Sequence, residues 1–420
     1  MKNTACVILA AGKGTRMKSA IPKPLHEIHS RPMLAYLAGT VKKAGVKDVV
    51  MVLGHGAREV EKRFSGYAFI RQTKQLGSGD AVNSAKRYFK GYIGDILVLY
   101  SDTPLISVAT VKRMMKAHKR GNCGCTLLTT LMADPGGYGR IIRDDEGKIK
   151  RIVEEKDASR YEKAVREINV GAYVFDAASL FSYLGKVKVN RKKGEYYLTD
   201  IINIFSAAGV KIKSVTTDDI VEGTGVNDRA DLAVANRIIK DKILLRRMND
   251  GVTIVDPSTT HIDMDAVIGK DTIVYPNTVI AKDVVIGKHC RIGPFAHIRP
   301  GTRLGDNNEI GNFCELVRTT VGSDCKIKHM TYLGDAVLGS GINVGAGTIT
   351  ANYDGKNKNR TYIGDGSFIG IGTRLIAPVR VGKKAYVGAG SVVTKNHNVP
   401  DGATVIGIPA KIYKKSNGSG

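Results

Sequence analysis

The amino-acid sequence predicts an α/β protein with two domains: an N-terminal doubly wound, Rossmann-like domain and a C-terminal left-handed parallel β-helix of hexapeptide repeats. Three observations support this prediction. An aliphatic residue returns at every sixth position in the C-terminal part, short apolar runs alternate with helical stretches in the N-terminal part, and a helical segment lies between the two. A length of 420 residues is enough for two hydrophobic cores.

The six-residue period runs without a miss from Ile262 to Leu316, slips, and returns from Ile363 to Val393. No helix or ordinary strand has this period. A chain that turns a corner every six residues does, because one inward side chain per face then stacks on its equivalents in the neighbouring coils. Three faces make one coil. The aliphatic positions are Ile262, Ile268, Val274, Ile280, Ile286, Ile292, Ile298, Leu304, Ile310, Leu316, Ile363, Ile369, Leu375, Val381, Val387 and Val393.

The apolar runs of the N-terminal part predict a sheet with ligand sites at the carboxyl ends of its strands. The first run leads into the turn Gly12–Met17, where backbone N–H groups can approach phosphate oxygens. A glycine turn of this kind is equally typical of an ordinary tight turn, but Arg16 and Lys23 add fixed cations that suit a triphosphate. The expected strands are Ala5–Ala11, Asp48–Leu53, Ala68–Arg71, Asp95–Tyr100 and Cys125–Leu131.

The segment 228–250 has helical periodicity, with one apolar and one basic face, and Gly251 is expected to end it. The expected domains are therefore 1–227 for the α/β domain, 228–250 for a connecting helix and 251–415 for the β-helix.

Composition excludes several classes of protein. The net charge is +25, but the basic residues are scattered among acids and lack interleaved stacking aromatics, so we expect no nucleic-acid partner. Small anionic substrates and a generally basic proteome are the two simpler explanations of the charge. No apolar run approaches the ~18 residues of a membrane span, and no secretory signal is visible, so no membrane partner is expected. The six cysteines show no zinc spacing and no regular disulfide framework, which favours free thiols in the cytoplasm.

A set of longer motifs narrows the class. In combination and in order they resemble, over nearly the whole chain, the bifunctional N-acetylglucosamine-1-phosphate uridylyltransferase / glucosamine-1-phosphate N-acetyltransferase family, whose first domain is similar to other sugar-1-phosphate nucleotidylyltransferases. The motifs are Leu9–Met17, Pro22–Lys23, Gln72, Gln75–Gly79, Leu99–Leu105, Gly137–Ile141, Ile152–Asp157, Glu167–Gly171, Gly194–Asp200, Gly225–Asn227, His329–Asp335 and Asn343–Gly355.

The resemblance implies Mg²⁺-dependent uridylyl transfer from UTP to N-acetylglucosamine 1-phosphate in the first domain. Asp102 ends an apolar strand, where a carboxylate is costly unless it is paired or bound to a cation, although a helix N-cap is the alternative. The family pairs this Asp with the counterpart of Asn227 on the metal, and gives Arg16 and Lys23 catalytic charge neutralisation. Asn169 is otherwise a plausible turn residue. The implied UTP and UDP-sugar ligands are Leu9, Ala10, Gly12, Lys23, Gln72, Gly77, Ser78, Gly137, Glu154, Asn169 and Asn227.

The resemblance also implies acetyl transfer from acetyl-CoA to glucosamine 1-phosphate in the β-helix. Amine acylation needs a base, and a neutral imidazole suits that task near pH 7. A lone His is usually a surface residue, but the match makes His329 the base. In the family the acetyl-CoA channel forms between β-helices, so a homotrimer is implied. The implied acceptor ligands are Arg299, Tyr332, Asn343 and Lys358, and the implied acetyl-CoA ligands are Ala346, Asn352, Tyr353 and Ala389.

Three departures from the family pattern keep a second interpretation open. Val317 stands where the family has a Lys, Ile371 where it has a Ser and Ile406 where it has an Arg. Strand alternation is expected to point neighbouring Arg318 to the other face. The alternative is a uridylyltransferase whose β-helix is only a structural trimerisation module. The polar loop Ala351–Tyr362 is expected to project from a coil.

Overall fold

The computed structural model describes residues 3–190 and 194–413. The chain divides into two compact units between Arg237 and Ile238. This boundary falls inside the predicted connecting helix, which runs from Arg229 to Asn249. The end of the range 251–415 lies outside the described residues.

One mixed sheet forms the centre of the first unit. Its strands are β1 Asn3–Ala10, β2 Asp48–Leu53, β3 Ala68–Arg71, β4 Gly94–Tyr100, β5 Cys125–Leu131, β6 Arg140–Arg143, β7 Ile149–Val153, β8 Glu167–Asp176 and β9 Ile212–Thr216. The order is β9-β5-β8-β4-β1-β2-β3, and β6 pairs with both β8 and β7. The five strands that the sequence predicts are all present, with bounds that differ by at most two residues.

Strand β8 differs from the parallel sheet that the sequence predicts, because it runs antiparallel to both β4 and β5. Its pairing with β5 shifts between Asn169 and Tyr173. Strands β1 and β4 are parallel. The carboxyl ends of β1 and β4 and the beginning of β8 therefore meet at one edge of the sheet, which brings Ala10, Asp102 and Asn169 to the same edge.

Helices cover both faces of this sheet. Helices α1 (Met33–Lys43), α2 (Ala57–Arg63) and α4 (Val108–Gly121) pack on one face around buried residues such as Leu37, Val60 and Met114. Helices α3 (Ser78–Ser84), α6 (Ala177–Tyr183) and α7 (Asp200–Ala207) pack on the other face, where Leu180 and Phe205 are buried. Burial on both faces explains why the strands read as continuous apolar runs. The helices are α1 Met33–Lys43, α2 Ala57–Arg63, α3 Ser78–Ser84, α4 Val108–Gly121, α5 Arg160–Lys163, α6 Ala177–Tyr183, α7 Asp200–Ala207 and α8 Arg229–Asn249, with 3₁₀ turns at Thr15–Met17, Lys23–Leu25, Leu184–Lys186 and Ile220–Gly223.

Three sheets of short strands wind into the predicted β-helix in the second unit. The first sheet contains Thr253–Ile254, Ile273–Val274, Arg291–Ile292, Glu309–Asn312, Lys326–His329, Asn343–Val344, Phe368–Ile369, Tyr386–Val387, Thr404–Ile406 and Lys411–Ile412. The second contains His261–Ile262, Val279–Ile280, His297–Ile298, Glu315–Val317, Tyr332–Gly334, Ile349–Ala351, Arg374–Ile376 and Val392–Val393. The third contains Val267–Ile268, Val285–Ile286, Arg303–Leu304, Thr320–Val321, Ala336–Leu338, Thr361–Ile363 and Val379–Val381.

The slip in the six-residue period comes from changes at a single corner of the coil. Regular coils pair residues 18 positions apart, as His261 does with Val279. Two later coils pair residues 17 apart, because the corner between the second and third sheets loses one residue (Arg303 with Thr320, Thr320 with Val337). The next coil gains seven residues at the same corner, where Val337 pairs with Tyr362. This insertion is the loop that the sequence predicts.

The inward aliphatic stack should dominate the stability of the β-helix. Val274 is 0% exposed and points inward, whereas Val267 is 55% exposed on the first coil. We expect Val274→Ala to lower the free energy of unfolding by about 1.5–3 kcal/mol, through lost apolar burial and a residual cavity. Urea unfolding of the full chain measures this difference. Val267→Ala is the matched control, and an equal loss for both variants would contradict the inward stack.

Candidate functional sites

A cavity of about 520 Å³ opens in the first unit at the carboxyl ends of β1 and β4. Ten residues that the sequence predicts as nucleotide, catalytic or metal ligands line it: Leu9, Ala10, Gly12, Arg16, Lys23, Gln72, Gly77, Ser78, Asp102 and Asn227. The wall also contains Lys13, Gly14, Gln75 and Glu195, so three cations and two carboxylates line the space.

Two glycines make the loops around this cavity possible. Gly14 has φ 60°, and a Cβ there would lie 2.7 Å from Lys23 Cβ. Gly77 has φ 98°, and a Cβ there would lie 2.6 Å from the carbonyl oxygen of Tyr196. Both positions combine a left-handed backbone with a close approach, which only glycine tolerates without strain. Gly14 thereby lets the loop that carries Arg16 pack directly against Lys23.

The side chains of Arg16 and Lys23 meet those of Asp102 and Asn227 in the wall of the cavity. Lys23 Nζ is 2.7 Å from Asp102 Oδ2 and 3.3 Å from Asn227 Oδ1, and Arg16 Nη2 donates to the same Asn227 oxygen at 2.9 Å. The backbone N–H of Val226 donates to the Asp102 carbonyl oxygen at 2.7 Å, which holds the two ligand segments together. A carboxylate oxygen and an amide oxygen therefore converge on one cationic atom.

This donor set fits Mg²⁺, which takes oxygen ligands and is usually held by one or two protein groups together with substrate phosphates. Over residues 3–190 and 194–413, no three His, Cys, Asp or Glu side chains are grouped so as to hold a metal. A site built from Asp102 and Asn227 would therefore depend on ligands from the substrate.

Gln72 and Ser78 hold the loop before helix α3 in place. Gln72 is buried, and its Nε2 donates to the Gly77 carbonyl oxygen at 2.9 Å and to Asp80 Oδ2 at 2.7 Å. Ser78 Oγ accepts a hydrogen bond from the backbone N–H of Leu198 at 3.0 Å. These bonds fix the conformation of the cavity wall at Gly77.

Three other predicted ligands, Gly137, Glu154 and Asn169, are absent from the lining of this cavity. Glu154 Oε1 accepts from Thr199 Oγ1 at 3.0 Å, and Asn169 Nδ2 donates to the Tyr173 hydroxyl at 2.7 Å. Their contact with a sugar stays a prediction.

Tyr100 is a residue of the cavity wall that sequence reasoning missed. It lines the cavity, and its ring lies 3.3 Å from the position of a Cβ on Gly171. Burial raises the pKa of the Tyr100 hydroxyl, so it stays protonated. The sequence does contain a signal for Tyr100, because this residue ends the apolar strand just before Asp102.

One corner of the β-helix aligns the predicted base with predicted acetyl-CoA ligands. Backbone N–H groups of Gly347, Gly372 and Gly390 donate to the carbonyl oxygens of Met330, Ala346 and Ile371, respectively. His329, Ala346, Ile371 and Ala389 therefore occupy the corner between the first and second sheets in successive coils.

The His329 ring is exposed, and its Nδ1 lies 2.9 Å from Asn312 Oδ1. An amide oxygen can only accept, so this contact needs a proton on Nδ1, which in a neutral imidazole leaves the lone pair on Nε2. Sequence reasoning missed Asn312, whose pairing with His329 depends on the register of two coils.

The other corner of the second sheet carries a charged cluster. Arg318 donates to both oxygens of Asp335, at 2.6 and 2.8 Å, and Asn352 Nδ2 donates to the same carboxylate. These bonds, led by that from Arg318, lower the pKa of Asp335, and the charge of Lys358 adds to the effect. Arg318 lies after the strand, at a left-handed corner with φ 48°, and its side chain is exposed whereas that of Val317 is buried, so the two lie on different sides as expected. Val317 is 3% exposed and cannot supply a surface contact.

The remaining predicted acceptor and acetyl-CoA ligands lie on or near the second sheet. Arg299 Nη1 donates to Glu315 Oε1 at 2.6 Å, and Glu315 is the ladder neighbour of Tyr332. Asn343 lies in the first sheet beside Lys326. The loop residues Tyr353 and Lys358 form an isolated bridge and are exposed. Apart from Asn343 on the first sheet, one chain thus presents its candidate acetyl-transfer residues in two groups, towards the two corners of the second sheet.

Comparisons with known proteins identify both parts of the chain. The MobA-like NTP transferase domain matches residues 6–141, and the bacterial transferase hexapeptide (six repeats) matches residues 265–299, 283–318 and 360–395. Fold and sites together therefore define a nucleotidyltransferase joined to a hexapeptide-repeat transferase, which confirms the predicted α/β and β-helix fold class.

The relatives named "Bifunctional protein GlmU" match almost end to end. The protein from Shouchella clausii is 42% identical and covers 99% of this chain and 98% of its own. The proteins from Pelotomaculum thermopropionicum and Lactococcus lactis subsp. lactis are 44% and 43% identical, with 89% and 98% of this chain covered and 90% and 97% of their own. The chain belongs to the family of bifunctional GlmU proteins. This membership confirms the predicted family and favours the bifunctional enzyme over a β-helix with only a structural role.

A solved structure of UDP-glucose pyrophosphorylase complexed with UDP-glucose aligns with 58% of this chain, at 20% identity and a TM-score of 0.47. This similarity is too low to support a functional argument.

Among the described residues, no helix is both long and apolar enough to cross a bilayer.

The Asp335 cluster should make the β-helix sensitive to acid. The pKa of Asp335 is lower in the folded chain than in the unfolded chain, so its stabilising contribution is complete above the ordinary Asp pKa of about 4 and is lost as the pH falls through the folded-state value. We expect the difference in urea midpoint between the parent chain and Asp335→Asn to shrink between pH 6 and pH 3. Asp283→Asn, at an exposed corner, is the control. A difference that stays constant with pH would contradict this role.

Proposed function

We propose that this protein makes UDP-N-acetylglucosamine in two steps. The β-helix transfers the acetyl group of acetyl-CoA to glucosamine 1-phosphate, and the α/β domain then couples N-acetylglucosamine 1-phosphate to UTP with release of pyrophosphate. The observation that carries the second step is the convergence of Asp102 and Asn227 on Lys23 beside the glycine loop. The tautomer that Asn312 fixes on His329 carries the first.

Uridylyl transfer in this site needs no protein nucleophile. An oxygen of the sugar phosphate attacks the α-phosphorus of UTP in line, and pyrophosphate leaves. Arg16 and Lys23 neutralise charge on the phosphate oxygens, and the N–H groups of the glycine loop position them. Mg²⁺, held by Asp102 and Asn227, would supply further neutralisation of phosphate charge.

Acetyl transfer uses His329 as the general base. As the amine of glucosamine 1-phosphate attacks the thioester carbonyl, Nε2 of His329 accepts the amine proton, the C–S bond breaks and coenzyme A leaves as a thiolate that is then protonated. Asn312 acts as a positioning residue, because its amide oxygen keeps the proton on Nδ1. Nε2 is thereby kept available as an acceptor.

A homotrimer would complete the acetyl-transfer site. On the corner that carries His329, the rings of Phe295 and Phe313 stack at 5.1 Å and are 48% and 58% exposed, and Met330 is 61% exposed. Large apolar side chains in contiguous exposed positions are typical of surfaces that another chain covers. A second copy packed along this corner would also bring its own residues to the acetyl-CoA side of His329.

We place the reaction in the cytoplasm and expect only small-molecule substrates and further copies of the chain as partners, with neither nucleic acid nor membrane. The six cysteines are free and buried, which agrees with a reducing compartment.

One set of observations favours the alternative of a uridylyltransferase with a structural β-helix. Val317 is buried, and Arg318, the nearest cation, is bound to Asp335. Ile371 and Ile406 are exposed apolar residues at positions where the family has polar ones. Activity of the β-helix decides between the two.

Asp102→Asn tests the metal site. The change removes one anionic ligand while keeping an oxygen, so we expect the Mg²⁺ concentration for half-maximal pyrophosphate release to rise at least tenfold and the rate to fall about 100-fold. Asp218→Asn, an exposed residue of the same unit, is the control. An unchanged Mg²⁺ dependence would exclude Asp102 as a ligand.

His329→Ala tests the second activity. Loss of the base should reduce thiol release from acetyl-CoA in the presence of glucosamine 1-phosphate by about 100–10,000-fold, while uridylyl transfer is retained. His289→Ala, on an exposed corner of an earlier coil, is the control. If the parent chain itself releases no thiol while its uridylyl transfer is intact, the β-helix is structural.

A further inference from the structure

A second cavity of the first unit has no role in the proposed reaction. It measures about 600 Å³ and lies between the C-terminal half of α3, the turn that follows it, and α6. This volume lies in the range of sites that hold small organic ligands. This second cavity shares no lining residue with the 520 Å³ cavity at the carboxyl ends of β1 and β4, which we call the nucleotide cavity.

The floor of this second cavity is apolar and aromatic. Phe89 is 4% exposed, its ring stacks on Phe181 at an interplanar angle of 25° with centroids 6.1 Å apart, and Tyr92 meets it edge-on at 5.4 Å. The Tyr92 hydroxyl donates to the Asn3 carbonyl oxygen at 2.9 Å and is therefore already satisfied. A flat apolar body would be the complementary shape for this floor.

The rim of the second cavity is cationic. Lys86, Arg87 and Lys90 line it and are exposed, and among the described residues no carboxylate lines it. Asp48, which faces this turn, already accepts a hydrogen bond from the Tyr88 hydroxyl at 2.9 Å. Three positively charged side chains above an apolar floor favour a ligand that carries an anionic group at one end of an apolar body.

Helix α3 connects the two cavities. Gly77, Ser78 and Ala81 line the nucleotide cavity, and Asn83 and Ser84 line the second one. A seven-residue helix is only ~10 Å long, so a shift at its C-terminal end reaches the nucleotide loop directly.

We propose that the second cavity binds a small amphiphilic anion, with a flat apolar body and one acidic group, and that its occupation changes the affinity of the neighbouring cavity for nucleotide. The coupling rests on the proposed function, whereas the binding does not. Coupling between sites is reciprocal, so nucleotide changes the affinity for the anion by the same factor.

The binding is tested with 8-anilinonaphthalene-1-sulfonate, by fluorescence titration of the full chain. Ala178 is exposed at the cavity wall, so Ala178→Trp fills the space without disturbing the core and should weaken binding at least tenfold. Lys86→Glu combined with Lys90→Glu should weaken it about 3–30-fold by reversing the rim charge. Lys62→Glu, on the opposite face of the sheet, should leave it unchanged. Equal binding by all variants would overturn the proposal.

The coupling is tested by calorimetric titration of UTP with and without a saturating concentration of the probe. We expect the dissociation constant of UTP to change at least threefold in the parent chain and not in Ala178→Trp. An unchanged constant would refute the coupling, and full displacement of the probe by UTP would show that the probe binds in the nucleotide cavity. If UTP does not bind, the proposed function fails while the variant titrations still decide the binding.

Discussion

The ion pair between Lys23 and Asp102 is the interaction on which the first site depends. Lys23 belongs to the turn after the glycine loop, Asp102 follows β4, and Asn227 precedes α8, so a single ammonium group joins three segments that are distant in sequence. A carboxylate at the end of a buried strand would be costly without this partner. The same residues would hold the triphosphate and Mg²⁺ in the proposed reaction, so local stability and the proposed substrate binding rest on the same atoms.

In the β-helix the corresponding constraint is the ladder of inward side chains. Strands pair with equivalent strands of the next coil, and a change in strand length would break the stack on both sides. Corners lie outside the aliphatic stack and bury smaller side chains, such as Thr272, Cys290 and Asn308. One corner accordingly loses single residues twice and then gains a seven-residue loop, while Leu333, Leu338 and Val344 stay buried. The charged Asp335 cluster lies at this same corner. Polar and charged residues therefore vary where the aliphatic packing of the coils is not affected.

The sequence predicted what depends on local pattern. The apolar runs gave the strands β1 to β5, the six-residue period gave the β-helix, and the motifs gave ten residues of the nucleotide cavity. It did not predict the antiparallel direction of β8, which depends on its partners in the sheet. It also missed Tyr100, Asn312 and Asp335. The last two act through a neighbouring coil, and their partners are 17 positions away in the chain. Such pairings appear only when the coil register is known, and the register changes just there.

The corner column that runs from His329 to Ala389 places its residues at fixed intervals along the axis of the β-helix. Each coil advances the column by one strand spacing of ~4.8 Å, so the three steps between these residues span roughly 14 Å along the axis. The length of this column can therefore change only by whole coils, each of which adds or removes one strand spacing. In the proposed acetyl transfer, the number of coils between His329 and Ala389 would therefore set the reach available to an extended thioester substrate, independently of which side chains fill the corners.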